Sequence, residues 1–339
     1  MGLDIRNACA GARAGLTRLV EFTAFPTQAP DGDESSLLCH ALPLVTLGFE
    51  GDARLAQIMA PALANLFHEA PGLRDARFPI PFYLATQAEP TSDEDDEPVP
   101  ADESEVRAQA AERVAAALHN AGVAATADVR YASEGGRPAF GQALAAATAD
   151  IVQGRCQLAV VGAVDTLLNA DRLNELNDSG RLKTPDHAAG LQAGEAGAFL
   201  LLSAKGSAKR WSSHRPVGVG KGLTANDNGS GRGLGDLLHQ LLPPDASLHW
   251  LVTDQNGEYE RALEYGNAFV RLRAHGSGER PVVTWAPSES FGDCGAAATA
   301  VAFCAIFQAF QRGYAPAARA VVTEISDAAT RAAIELQLS

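Results

Sequence analysis

Five cysteines in this chain have side chains that could act as nucleophiles or bind a soft metal ion. They are Cys9, Cys39, Cys156, Cys294 and Cys304. No two of them are spaced as CxxC, so neither a disulfide framework nor a zinc site is indicated. This cysteine usage fits a reducing cytoplasm, and the sequence predicts no metal and no cofactor.

Cys294 has the position with the most chemical interest, because it follows Asp293 in the first turn of an apolar helix. The helix dipole lowers the pKa of a thiol there, whereas the neighbouring carboxylate raises it, and no histidine accompanies the pair. Cysteine is also among the most buried residue types. We therefore predict a packed structural thiol at Cys294, with an active nucleophile as the alternative.

The short pattern Asp254-x-Asn256-x-Glu258 has oxygen-bearing side chains at alternate positions. That spacing is weakly typical of calcium ligands, but the glycine and the remaining ligands of an EF-hand loop are absent. We do not predict a cation site from it.

The charge balance excludes whole classes of partner. The chain has 339 residues, with 27 Lys and Arg against 41 Asp and Glu, a formal net charge of −14. Nucleic acids and anionic membranes are bound through clustered basic residues, and no such cluster occurs. The segment Glu89–Glu105 holds nine of the carboxylates and no basic residue. We predict an exposed loop there, with an acidic docking site as the alternative.

The start of the chain has no apolar signal core. The longest nearly apolar run, Gly295–Phe307, is shorter than the roughly 20 residues that span a bilayer. We expect a soluble, cytoplasmic protein that binds neither membrane nor nucleic acid.

Short β-rich runs alternate with helical patterns from about residue 80 onward, which is typical of a layered α/β fold. The predicted strands are Ile80–Thr86, Ala125–Tyr131, Leu158–Asp165, Ala198–Ser203, Pro216–Leu223, Leu248–Thr253, Val282–Trp285, Ala320–Ile325 and Ala332–Leu338. The predicted helices are Asn7–Thr23, Leu55–Glu69, Glu105–Asn120, Ala139–Gln153, Asp236–Leu242, Tyr259–His275 and Gly295–Arg312.

Two of these helices, Ala139–Gln153 and Gly295–Arg312, are rich in alanine and apolar around most of their circumference. Such helices are buried on most sides. Each follows a glycine-containing turn, ends at a glycine and precedes an apolar strand, so they look like one element used twice. We predict two similar halves, residues 1–206 (including the acidic loop 89–105) and 216–339.

The segment Gly154–Gly206 resembles the β-ketoacyl synthase branch of the thiolase superfamily. It contains a strand ending in a glycine-plus-acidic turn (VVGAVD), a GRL segment and a GEGA-type turn in the family's order. The second half resembles the same family in TDQNGEYERALEYGNA and in SFGDCGAAATAVAFCAIFQAFQRG. The resemblance implies an α/β, thiolase-like five-layered αβαβα fold from two similar halves. Compared with the family, we expect the first N-terminal strand to be missing from this chain.

Active members of that family use a cysteine at the start of the first buried helix and two histidines from the second half. Counted from the VVGAVD strand, the cysteine position falls on Arg137. The first histidine position is closest to Asp254, and the second falls on Asp293. None of the eight histidines lies in either stretch; His249 is nearest, and we predict a structural role for it.

Arg137 is unusual because a cation at a helix N-terminus faces the positive end of the helix dipole. It therefore needs an anionic partner. We predict that Arg137 forms an ion pair with Asp293 or Asp254 that fills the former pocket. The alternative is that Arg137 caps a turn on the surface.

Three functions follow from these residues. The first is a degenerate β-ketoacyl synthase-like protein, a non-catalytic binding or assembly partner in fatty acid or polyketide-type metabolism. The second is an active acyltransferase or condensing enzyme with an unorthodox site such as Cys294. The third is a scaffold or adaptor without an acyl ligand. The resemblance implies a homodimer, or a heterodimer with a ketosynthase-like subunit, and an acyl carrier protein as a possible partner.

Overall fold

The computed structural model describes residues 2–87, 102–243, 245–246, 249–274 and 281–338. The helices are α1 (Ile5–Arg13), α2 (Pro43–Thr46), α3 (Gly51–Glu69), α4 (Pro71–Arg74), α5 (Glu103–Asn120), α6 (Ala139–Val152), α7 (Ala170–Asp178), α8 (Ala208–Trp211), α9 (Arg232–Leu241), α10 (Tyr259–Leu272), α11 (Ser288–Phe291) and α12 (Ala298–Arg312). The strands are β1 (Val20–Gln28), β2 (Glu34–Cys39), β3 (Ile80–Ala85), β4 (Ala127–Ser133), β5 (Leu158–Thr166), β6 (Glu195–Ser203), β7 (Val217–Asn226), β8 (His249–Val252), β9 (Val282–Trp285), β10 (Arg319–Ile325) and β11 (Thr330–Leu338).

The molecule has five layers, as the resemblance implies. One sheet has the strand order β4-β3-β5-β6, and the second has the order β7-β11-β10-β8-β9. Helices α6 and α12 lie between the sheets in one apolar cluster. The outer face of the first sheet packs against α3 and α5, and that of the second packs against α9 and α10. The layer order is therefore αβαβα.

The central helices pack closely because their contact residues are small. Ala139, Ala143 and Ala147 of α6 and Ala300 of α12 are fully buried. Phe140 fills the space that the alanines leave, and its ring meets that of Phe303 edge to face, with 5.3 Å between the ring centroids. This packing fixes the start of α6 beside the start of α12.

The two sheets differ by one strand. The order β4-β3-β5-β6 matches β9-β8-β10-β11, and in each set the last strand runs antiparallel to the others. The second sheet continues with β7, paired antiparallel to β11. The first sheet has no counterpart of β7 within the described residues. All strands of the first sheet precede residue 206 and all strands of the second follow residue 216; the origin of the halves by duplication stays a prediction.

The helix predicted over Asn7–Thr23 is wrong in its second half. Helix α1 ends at Arg13, and Gly15 then adopts a φ of +69°, which a helix does not allow. The chain continues as the hairpin β1–β2, which turns at Gly32 with a φ of +90°. The Asp31-Gly32 pair, a frequent hairpin signal, would have indicated this turn.

The predicted acidic loop lies mostly outside the described residues, which omit 88–101. Its last residues do not belong to a loop. Asp102 caps α5, because its carboxylate accepts a hydrogen bond of 2.9 Å from the Ser104 amide, and Glu103 and Glu105 lie in the first turn of that helix. Leu248 and His275, the predicted ends of a strand and a helix, also lie outside the described residues.

In the part of the chain that the structure covers, no helix is both long and apolar enough to cross a membrane.

Candidate functional site

The structure brings Arg137 and Asp293 together at the centre of the molecule. Arg137 follows Gly136, which turns the chain from β4 into α6 with a φ of +67°. Its guanidinium Nη2 donates to Asp293 Oδ2, and the two side chains are buried. The cation at the start of α6 thus faces an anion at the start of the other central helix. Arg137 is buried, so it does not cap a turn on the surface, which was the alternative interpretation.

Asp293 is held by several donors in addition to Arg137. Its Oδ1 accepts a hydrogen bond of 2.9 Å from the Gly295 amide, and its Oδ2 accepts one of 2.6 Å from Asn256 Nδ2. Burial raises the pKa of this carboxyl, but Arg137 and Asn256 act in the opposite direction and hold it at about 2. Asp293 is therefore ionised at neutral pH, and a carboxylate of such low pKa is a weak general base there.

Asp254 lies in the same region but does not contact Arg137. Its Oδ2 accepts a hydrogen bond of 2.6 Å from Arg261 Nη1 and one of 2.9 Å from the Ile325 amide. Its Oδ1 accepts one of 2.6 Å from the hydroxyl of Tyr265. Of the two predicted partners of Arg137, the structure thus places Asp293 against it and pairs Asp254 with Arg261.

Asn256 and Glu258 connect these two ion pairs. Asn256 Nδ2 donates to both Asp293 and Glu258, with a distance of 2.7 Å to Glu258 Oε2. Glu258 Oε1 accepts 2.6 Å from Arg181 Nε, and Arg181 also pairs with Asp327 at 3.1 Å. The Asp254-x-Asn256-x-Glu258 pattern therefore forms an ion-pair network. No cluster of three or more His, Cys, Asp or Glu side chains that could hold a metal ion occurs among the described residues.

The remaining space at this site is very small. A cavity of about 20 Å³ is lined by Arg137, Asp254, Asn256, Asp293 and Thr299, among others. A water molecule needs at least roughly 10–15 Å³. The space is thus of the size of one water molecule, and the side chains themselves fill the rest of the region.

Cys294 lies beside this cavity with its thiol buried. The sulfur is 3.5 Å from the carbonyl oxygen of Phe291 and 3.6 Å from that of Gly292. Burial and the charge of Asp293 raise the pKa of the thiol far above its usual range. The thiol is protonated at neutral pH and donates to carbonyl oxygens, which is the arrangement of a packed structural cysteine.

Two buried carboxyl groups near the start of α12 were not identified as site residues from the sequence. Glu324 Oε2 accepts a hydrogen bond of 2.9 Å from Thr299 Oγ1, and burial raises the pKa of Glu324 to about 8. Asp165 Oδ2 accepts one of 2.8 Å from the Ala296 amide, and burial raises its pKa to about 6. The sequence indicates only Asp165 of these two residues, because Asp165 is the acidic residue that ends the VVGAVD strand. Glu324 lies in an apolar strand, where nothing in the sequence marks it.

His249, the histidine nearest to the predicted stretches in the sequence, is buried at the start of β8. Asp254 lies just beyond the carboxyl end of β8. His249 is at the other end of the strand, away from the site. The structure therefore brings no described histidine into the group formed by Arg137, Asp254 and Asp293.

No protein-family model matches the chain, and no curated protein matches it. Solved structures do match. The ishigamide ketosynthase/chain length factor is 17% identical with a TM-score of 0.67, over 98% of this chain and 95% of that chain. A type II polyketide synthase acyl-carrier protein in complex with its ketosynthase bound to the hexaketide is 12% identical with a TM-score of 0.70, over 100% and 96%. The ketosynthase from module 6 of the bacillaene synthase of Bacillus subtilis 168 is 12% identical with a TM-score of 0.67, over 99% and 69%.

At these identities the likeness establishes the fold and not the activity. The likeness extends over nearly the whole chain, and the layer order and the paired central helices agree with it. The chain therefore has the thiolase-like fold of the β-ketoacyl synthases.

Proposed function

We propose that this chain is a catalytically inactive β-ketoacyl synthase-like protein, which acts as a binding or assembly partner in fatty acid or polyketide-type metabolism. One observation carries the proposal. The positions where the resemblance expects a nucleophilic cysteine and a histidine hold Arg137 and Asp293, and these two side chains neutralise each other. A guanidinium is not a nucleophile, and the Asp293 carboxylate already accepts hydrogen bonds from Arg137, Asn256 and the Gly295 amide.

The size of the site supports the same proposal. A condensing enzyme must admit an acyl thioester to its nucleophile, whereas the cavity at Arg137 has a volume of about 20 Å³. An active role for Cys294 would require its thiol to ionise and to be reached by substrate. Burial and Asp293 disfavour the ionisation, and the side chains around the cavity fill the approach.

The kind of partner is proposed by analogy with the structures of similar fold. One of them pairs a ketosynthase with a chain length factor, and another holds an acyl-carrier protein against its ketosynthase. We propose a homodimer or a heterodimer with a ketosynthase-like subunit, with an acyl carrier protein as a further partner. This step rests on likeness of fold alone.

Thiol labelling tests the loss of catalysis. The protein is incubated with an acyl-pantetheine and, separately, with a cerulenin-like electrophile, and adducts are located by mass mapping. We expect no adduct at Cys294 in the folded protein and full modification of Cys294 after denaturation. An adduct on the folded protein that disappears in Cys294→Ala, together with a 3-oxoacyl product, would refute the proposal in favour of an active enzyme.

A binding measurement separates the assembly partner from a scaffold without an acyl ligand. The intact protein is mixed with an acyl carrier protein in its free and acylated forms and with an active ketosynthase, and complexes are measured by size-exclusion chromatography with light scattering. We expect a defined complex with at least one of them. If the protein binds none of them, the scaffold function replaces the one proposed.

A further inference from the structure

Strand β6 has the composition of an interior strand but stands at the edge of its sheet. It pairs with β5 along one side, and no described strand pairs along the other. Ala198 and Leu200 pack into the central apolar cluster, whereas Phe199 and Leu201 pack into the outer one. Strands that are apolar on both faces are typical of the inside of a sheet, and an open apolar edge invites pairing with another chain.

The alternation of hydrogen bonds identifies which groups of β6 face its open side. The Ala204 amide donates to the Gln157 carbonyl at 3.2 Å, so the even-numbered residues of β6 face β5. The odd-numbered residues direct their amide and carbonyl groups outward. The Phe199 amide faces the sulfur of Cys304. No hydrogen bond within the described chain joins the outward groups of Gly197, Leu201 and Ser203.

A groove with a volume of about 640 Å³ runs along this edge, and we call it the β6 groove. Its walls are formed by α1, the second half of α3, the middle of α12 and the start of β7. The volume lies within the range of about 300–1,000 Å³ that is usual for ligand sites. Because helices rise on both faces of β6, the groove fits a free extended segment better than the edge of another folded sheet.

The second sheet shows what such a segment looks like. Leu84 of β3 and Leu251 of β8 occupy equivalent positions in the two sheets. When the strand register is followed from these residues through β5 to β6 and through β10 to β11, Leu200 becomes the equivalent of Leu336. Leu336 lies opposite Val219 of β7, and the next residue, Gln337, lies opposite Gly218. The β6 groove occupies the place that β7 fills beside β11.

We propose that the β6 groove binds one extended segment of a separate protein, which adds to the sheet as a fifth strand antiparallel to β6. The backbone of the segment supplies the hydrogen bonds that Gly197, Leu201 and Ser203 lack, and its small or β-branched apolar side chains alternate between the two helical layers. This inference goes beyond the proposed function and holds whether or not the site at Arg137 is catalytic.

The charges at one end of the groove specify the segment further. Lys205 lies two residues beyond β6 and lines the groove with Arg215. Glu69 also lines the groove, but it is paired with Arg6 and His214. An antiparallel segment enters the groove at this end with its N-terminal residue. Charge complementarity therefore favours an acidic residue immediately before the apolar part of the segment.

A synthetic peptide patterned on β7 tests the proposal on the intact protein. The peptide has an aspartate followed by the sequence of residues 216–226 (PVGVGKGLTAN), and its binding is measured by fluorescence anisotropy. We expect saturable binding and slower hydrogen exchange of the Leu201 and Ser203 amides. Strand β4, the other edge of this sheet, serves as an internal control whose amide exchange stays unchanged.

Two methylated peptides provide a matched control that leaves the protein unaltered. N-methylation at the Gly218 position removes an amide that pairs with Leu201, so we expect binding to weaken by about tenfold. N-methylation at the neighbouring Val219 position removes an amide that points away from β6, and binding should change by less than about twofold. Lysine in place of the leading aspartate should weaken binding in a salt-dependent manner.

Three outcomes would overturn the proposal. Equal affinity of the two methylated peptides would show that no strand forms. The groove would be a site for an apolar ligand if palmitate bound in it and displaced the peptide, and if the peptide did not protect the β6 amides from exchange. If, in the absence of peptide, these amides became more protected as the protein concentration increased, the groove would be assigned to a second copy of this chain.

Discussion

The charge of Arg137 is the residue-scale feature on which the site depends. Arg137 and Asp293 are buried against each other, and a single substitution leaves the other charge without its partner. An unpaired buried charge costs far more than a lost surface contact. The pair is therefore sensitive to any change made on one side alone.

We predict that Arg137→Met lowers the free energy of unfolding by about 3–5 kcal/mol, because it strands the Asp293 carboxylate. Urea denaturation followed by circular dichroism measures the change. The double variant Arg137→Met with Asp293→Asn should recover part of the loss. As a control, Arg130→Met removes the partly exposed Arg130–Asp128 pair and should cost less than about 1 kcal/mol. Equal losses for the two single variants would contradict the prediction.

Glu324 gives the protein a predictable dependence of stability on pH. Burial raises its pKa to about 8, against a usual value of about 4.3 for glutamate. Between these values the folded state holds a proton that the unfolded state has lost. The free energy of unfolding therefore falls as the pH rises, by up to about 1.4 kcal/mol per pH unit, and this loss is complete above about pH 8.

We predict that Glu324→Gln removes this fall, because glutamine is neutral in both states. Urea midpoints measured from pH 6 to pH 8 compare the variant with the unchanged protein; above pH 6, the contribution of Asp165, whose pKa is about 6, is small. The exposed Glu21→Gln serves as the control and should leave the slope unchanged. Parallel curves for the unchanged protein and Glu324→Gln would refute the assignment.

At the scale of elements, the contact between α6 and α12 holds the two halves of the site in place. We predict that Phe140→Ala destabilises the protein by about 3–5 kcal/mol, because the ring is fully buried against Phe303 and leaves a cavity. Val152→Ala, on the same helix but 79% exposed, should cost less than about 0.5 kcal/mol. Thermal unfolding of both variants measures the difference, and similar losses would place α6 outside the core.

The sequence predicts most elements of the two sheets because their strands are continuous apolar runs and their central helices are rich in alanine. It does not predict the hairpin β1–β2, since the alternating run that begins at Val20 also fits a helical pattern when the turn at Gly32 is overlooked. It also misses α7, a short helix whose start is set by the side chain of Asn169 as N-cap.

The site is predictable to a smaller extent. The resemblance and the helix dipole together indicate that Arg137 needs an anion, and Asp293 meets it. The choice between Asp293 and Asp254 depends on Arg261, which reaches Asp254 from the first turn of α10. Contacts of this kind are set by the direction of a helix relative to a strand, which no local pattern contains.

At the scale of the whole molecule, the two halves are joined by charges as well as by apolar packing. Arg181 pairs with Glu258 and Asp327, and Arg137 pairs with Asp293, so these two cations from residues 1–206 meet anions from residues 216–339. We therefore expect the halves to unfold as one cooperative unit.

Tryptophan fluorescence tests this cooperativity. The variant Trp250→Phe with Trp285→Phe leaves Trp211, which packs in the outer cluster of the first sheet, as a reporter of the first half. Trp211→Phe leaves Trp250 and Trp285 of β8 and β9 as reporters of the second half. Within each variant, we predict that the urea midpoint from fluorescence coincides with that from circular dichroism. Distinct midpoints, with fluorescence preceding or following the loss of helix, would show that the halves unfold independently.

The ion pair between Arg137 and Asp293 also constrains how this protein can evolve. Replacing either residue alone by a neutral residue such as cysteine leaves a buried charge and costs about 3–5 kcal/mol, a large share of the roughly 5–15 kcal/mol that stabilises a typical domain. Mutations at the two positions must therefore arise together or after a stabilising change elsewhere. Among descendants of this chain, the two residues should covary, and single replacements should be rarer than at equally buried apolar positions.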